Sequence, residues 1–71
     1  MQFNENDIKF LWKTKVSGGG GCPSLSKVPG GYIVNGIPVD EKTRAMIPET
    51  AAAGEAAVFV PADVLDRLRE Q

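Results

Sequence analysis

Histidine is absent from this chain, cysteine occurs once, and no apolar run approaches the roughly 20 residues of a membrane-spanning helix. Each shortage excludes a class of function. Without an imidazole there is no ready general base for a serine or cysteine nucleophile. With one cysteine there is no internal disulfide and no Cys/His set for zinc, which fits a reducing cytoplasm. Nothing beside Cys22 in the sequence would activate its thiol, so it reads as a small buried or loop residue. The opening residues, MQFNENDIKF, lack the basic-then-apolar order of a secretion signal. The formal net charge is −1, so the basic surplus of a dedicated nucleic-acid binder is missing as well.

What is present suits a small soluble domain. Of 71 residues, 42% are hydrophobic and 24% charged. Residues 1–71 read as one domain, with 1–7 polar and frayed. A chain of this length buries only roughly 60% of its unfolded surface, so its core is small and a dimer or partner would add to it. Charge is uneven. Residues 1–30 hold Lys9, Lys13, Lys15 and Lys27 against Glu5 and Asp7, whereas residues 31–71 are acidic on balance.

The central stretch is GYIVNGIPVD, residues 31–40. Asn35-Gly36 is the pair best suited to a two-residue turn of type I′, which needs positive φ at both positions. The spacing therefore predicts a hairpin that places Val34 against Ile37 and Tyr32 against Val39. Tyr32, Val34, Ile37 and Val39 would then share one apolar face. Pro38 lacks a ladder donor and puts its strand at an edge.

Residues 8–16 alternate. Ile8, Phe10, Trp12, Thr14 and Val16 form one side, and Lys9, Leu11, Lys13 and Lys15 the other. The pattern predicts a strand with a core face and a basic face. Leu11 is the lone apolar residue on the basic face, either a simple exposed leucine or a binding contact. Trp12 reads as core against Tyr32 and Val34; exposed, it would be an interface anchor. Residues 23–28 suggest a second strand, and Pro29-Gly30-Gly31 a turn. Asp40 is placed to cap a short helix over residues 41–47, with Ala45 and Met46 or Ile47 inward and Pro48 after it. Residues 49–55 fit a loop or a helical turn equally. Residues 56–60 read as a strand. Pro61 opens a helix of about eleven residues with Ala62, Val64, Leu65 and Leu68 on its apolar side, and Asp63–Arg67 and Asp66–Arg69 at pairing distance along it. The class is α+β: an antiparallel sheet of four strands (8–16, 23–28, 31–35, 36–39), joined in one version by 56–60, under a C-terminal helix.

Few residues suggest chemistry. Residues 18–21 are four glycines, but Cys22-Pro23 follows where a phosphate loop needs Lys-Ser/Thr and a helix, so the run reads as a loop. Scattered carboxylates in so small a domain have no cleft to act across. The reading is a non-enzyme without cofactor or metal.

Trp12-Lys13 followed by Ser17-Gly18-Gly19-Gly20-Gly21-Cys22 resembles the opening of small actinobacterial proteins classed as domain of unknown function 397. The close is similar too: a strand ending at Phe59, then Pro61-Ala62, then a helix with Leu65 and Leu68 where the family has Trp and Phe. The middle departs from the pattern. Pro23-Ser24-Leu25 stands where the family has an alternating strand, and Val39-Asp40-Glu41-Lys42 is a loose counterpart of its Arg-Asp-Ser-Lys segment. The resemblance implies a cytoplasmic accessory protein that binds a helix-turn-helix transcriptional regulator as antagonist or antitoxin-like partner. The expected partner-binding residues are Lys9, Leu11, Lys13 and Lys15 on the basic strand face, with Leu65 and Leu68 on the helix. The alternative is a homodimeric structural or developmental protein that pairs through an edge strand without touching DNA.

Overall fold

The computed structural model describes residues 2–16, 22–50 and 54–70. The glycine run and residues 51–53 of the 49–55 stretch lie outside them. The architecture is α+β. Strands β1 (Lys9–Lys13), β2 (Ser24–Val28) and β3 (Gly31–Asn35) form an antiparallel sheet in that order. Strands β4 (Ile37–Pro38) and β5 (Val58–Phe59) form a separate antiparallel ladder. Helix α1 (Glu41–Ala45) follows β4, and α2 (Ala62–Asp66) follows β5 and tightens into a 3-10 turn over Arg67–Glu70.

The hairpin turn is Pro29-Gly30, not Asn35-Gly36. β2 and β3 pair without a break from Ser24↔Asn35 to Val28↔Gly31. Proline fixes the first turn position, and Gly30 supplies the positive φ of the second, +82°, as a type II turn requires. Asn35 and Gly36 both lack positive φ, so no type I′ turn forms there and β3 does not pair with β4. Gly36 answers a different demand. A Cβ on it would meet the Phe59 carbonyl oxygen at 2.6 Å and a Val60 methyl at 2.8 Å, so the residue is small because β5 approaches it closely. Asn35 donates its side-chain amide to the Cys22 carbonyl at 3.2 Å and ties the end of β3 to the start of β2.

β1 is shorter than its alternation suggests, and it is bulged. Lys9↔Lys27 and Phe10↔Ser26 pair regularly, then Trp12↔Leu25 and Lys13↔Ser24, which leaves Leu11 as the extra residue. The bulge turns Leu11 and Trp12 to the same side. Leu11 packs against the core cluster of Trp12, Leu25 and Val64, whereas Phe10 is left 60% exposed, with Ile8 and Val16 exposed too.

The core lies between the β1–β2 half of the sheet and α2. Leu25 and Val64 are buried at 1% and 0% exposure, and Leu68 and Val60 pack at the margin. Trp12 is core, as read, but its partners are Leu25 and Val64; Tyr32 and Val34 stand half-exposed beside them. Polar bonds fix α2. The Trp12 indole N–H donates to the Val64 carbonyl at 2.7 Å. The buried Thr14 hydroxyl donates to Asp63 Oδ1 at 2.6 Å, and the Lys15 N–H donates to Asp63 Oδ2 at 2.8 Å. Arg67 lies over the Trp12 ring, 4.9 Å from its centroid.

Four further expectations are corrected. Pro61 takes the N-cap position rather than the first helical one, and Leu65 faces outward instead of joining the apolar side. Asp40 caps α1, accepting from the Thr43 N–H at 2.7 Å, yet Ala45, Met46 and Ile47 are all exposed. Residues 5–7 form a 3-10 turn in the segment read as frayed, with the Asn4 N–H donating to Asp7 Oδ2 at 3.1 Å.

Candidate interaction surface

Cross-strand partners share a face of the sheet, so the register assigns every residue a side. Lys9, Lys27 and Tyr32 form one row, and Trp12, Leu25 and Val34 the next, all on the side that α2 covers. Phe10, Ser26 and Ile33 form a row on the other side, with Lys13, Ser24 and Asn35 beside it. On this outer side Phe10 and Ile33 are exposed, whereas Val28, at the turn end of β2, is buried at 5%.

The bulge therefore divides the predicted basic face. Lys9 falls on the α2 side and Lys13 on the outer side, so Lys9, Lys13 and Lys15 do not make one surface. Of the apolar residues assigned to partner binding, Leu11 and Leu68 are occupied against the core, and Leu65 alone is open, at 46% exposure. Alternation could not have revealed the bulge, because it assumes one residue opposite one residue.

Lys9 and Lys27 sit directly opposite each other, an arrangement that costs energy between like charges. Lys27 partly offsets this by placing its ammonium over the Tyr32 ring, 5.1 Å from the centroid. An open cleft of about 560 Å³ runs past these three side chains, Asp7 and the Pro29-Gly30 turn. Its wide mouth and paired lysines suit an acidic group on a partner better than an enclosed small molecule.

Among the described residues no three His, Cys, Asp or Glu side chains gather as a metal set. Two carboxylates are shifted, and both by structural bonds. Asp63 is held below the ordinary carboxylate range by the Thr14 hydroxyl first and the Lys15 N–H second. Asp40 is lowered by its bonds from Thr43. Both serve as anchors for backbone and side-chain donors. Among the described residues no helix is long and apolar enough to cross a membrane.

The surface is rich in apolar side chains for so small a core. Phe10, Ile33, Ile37, Met46, Ile47, Phe59 and Leu65 are all exposed. They are spread over the outer sheet side, the β4–β5 ladder, the residues after α1 and α2 itself, and exposed apolar residues scattered in this way are common on folded proteins. No protein-family model matches this chain, and neither does any curated protein or solved structure.

Proposed function

We propose that this chain is a non-enzymatic, cytoplasmic accessory protein that binds and modulates a helix-turn-helix transcriptional regulator. The identity of the partner rests on the sequence resemblance to the regulator-associated actinobacterial proteins. The observation that supports a binding role is the outer side of the three-stranded sheet, where Phe10 is 60% exposed beside the exposed Ile33 and Lys13. Burying a Phe side chain is worth roughly 1.5–3 kcal/mol, so a partner with an apolar patch rimmed by acids gains from this face.

The test is light scattering of the chain mixed with the helix-turn-helix regulator that the resemblance leads us to expect encoded beside it. A stable complex is expected. Phe10→Ser should weaken it through faster dissociation, and Lys13→Glu mainly through slower association at low salt. If no complex forms, this reading fails. A complex that both variants leave at full affinity would move the contact to Leu65 and α2.

A further inference from the structure

Edge strands are normally protected against pairing by charges, prolines or bulges. β1, at one edge of the main sheet, has such protection: the Leu11 bulge and the exposed lysines 9 and 13. β4 is two residues long and contains Pro38. β3, at the other edge, has none. Its sequence, GYIVN, carries no charge and no proline, and its five residues hold an unbroken register with β2. Tyr32, Ile33 and Val34 are exposed at 45%, 39% and 37%.

The hydrogen-bonding groups on this edge follow from the turn. Val28 and Gly31 close a two-residue loop, so they form a hydrogen-bonded pair, and bonded and non-bonded pairs alternate from there. Tyr32 and Val34 fall at non-bonded positions and direct their N–H and C=O groups away from β2. Among the described residues no backbone bond joins β3 to any strand except β2.

We propose that a second copy of this chain adds to this edge, β3 antiparallel to β3 about a two-fold axis at Ile33, to make a continuous six-stranded sheet. This goes beyond the regulator reading and does not depend on it. The edge is self-complementary. The outward groups at Tyr32 and Val34 are symmetric about Ile33, so the two-fold pairing sets Tyr32 opposite Val34 of the second copy and satisfies both reciprocally. Those pairs are aromatic against β-branched, a favourable cross-strand combination. Ile33 meets its own copy on the outer face.

Charge also favours a second copy. The segment offers nothing to select an oppositely charged strand. On the α2 side the backbones of Lys27 and its counterpart would lie three strand spacings apart, about 14 Å, with each ammonium held over the Tyr32 ring of its own chain. A five-residue junction belongs to the small interface class, below roughly 1,200 Å², so the dimer is weak and dissociates on dilution.

The test is the mass of the purified full chain by sedimentation across a hundredfold dilution. The expected result is a rise from 7.6 kDa toward twice that value at the concentrated end. Val34→Pro removes an outward N–H without touching the β2 ladder, and should stay monomeric with an unchanged circular dichroism spectrum. Ile33→Lys and Ile33→Glu should each be monomeric alone, because each sets like charges face to face at the axis, and should form a heterodimer when mixed. A wild-type mass fixed at 7.6 kDa overturns the proposal. So does a folded Val34→Pro that dimerises as well as wild type. If Val34→Pro does not fold, the charge pair decides, and failure of the folded Lys and Glu variants to associate on mixing overturns it. Regulator binding is read separately, with Phe10→Ser, so either idea can fail without the other.

Discussion

The two β-structures of this protein are stabilised in different ways. The β1–β2–β3 sheet has a covered side. There α2 caps Leu25 and Trp12; the Val64 carbonyl and Arg67 engage Trp12 of β1, and Asp63 engages Thr14 and Lys15 just after it. The β4–β5 ladder has two residues per strand, with Ile37 and Phe59 both 56% exposed. It is held by its own short register, by the Val39 N–H to the Ala57 carbonyl at 3.2 Å, and by Arg44 reaching the Glu55 carbonyl at 2.9 Å. One region owes its stability to buried side chains, the other to backbone proximity. A two-stranded ribbon of that length is marginal by itself, so it leans on the rest of the fold, which it meets where Val60, next to β5, packs at the core margin.

The largest expected effect follows from that asymmetry. Trp12→Ala removes the ring that fills the core, the bond to the Val64 carbonyl and the surface on which Arg67 lies. Large aromatic truncations cost about 3–5 kcal/mol, comparable to the whole stability of a domain this small. Thermal unfolding by circular dichroism should show no cooperative transition near room temperature. Trp12→Phe keeps most of the packing and loses the bond, and should remain folded with a loss of about 1–3 kcal/mol. If the alanine variant unfolds like wild type, the core has been placed wrongly.

Gly36→Ala separates the two regions. The new methyl would press on the Phe59 carbonyl at 2.6 Å, which is backbone and cannot swing away. Overpacking of this kind costs about 1–3 kcal/mol and should open β4–β5, leaving the main sheet intact. Amide exchange would show faster exchange at Ile37, Val39, Val58 and Phe59, with β2 and β3 protected as before. Gly30→Ala is the complement. Its Cβ meets nothing within 4 Å, but φ is +82°, so the cost is conformational, about 1 kcal/mol or a little more. Asparagine tolerates positive φ better than alanine does, so Gly30→Asn should recover part of that loss, and Gly36→Asn should be worse than Gly36→Ala. The opposite ranking would restore the type I′ turn at Asn35-Gly36.

That ranking also bears on what the sequence could reveal. The α+β class, the Asp40 cap, the Pro29-Gly30 turn and the burial of Trp12 were all legible, because each depends on local residue chemistry. The partner of β3 was not. Two turn signals stand six residues apart, Pro29-Gly30 and Asn35-Gly36, and both satisfy local rules. Tertiary contact decided between them: Leu25 needed the α2 side of a regular sheet, and β5 needed a glycine to lie against. The Leu11 bulge was hidden for the same reason. It breaks period-two counting, and its cause is the fit of Leu11 and Trp12 under α2. The predicted partner-binding set lost its coherence at that single residue, which put Lys9 and Lys13 on opposite faces.

The smallest expected effect concerns the tie between β1 and α2. The folded pKa of Asp63 is lowered relative to the unfolded chain, chiefly by the Thr14 hydroxyl and then by the Lys15 N–H. A lowered carboxylate binds its proton less readily when folded, so its contribution to stability is complete above the unfolded value, about 3.9. It is lost as pH falls through the folded value. Asp40 acts in the same direction, so the wild type should destabilise in acid at two sites. Asp63→Asn abolishes one of them. Its melting temperature should lie below that of wild type at pH 7, and the gap should close between about pH 4 and pH 2 as the wild-type carboxylate protonates. A gap that stays constant with pH would mean that the tie is hydrogen bonding of a neutral kind. A gap that widens in acid would mean that Asp63 is raised rather than lowered, and would remove the electrostatic part of the link between β1 and α2.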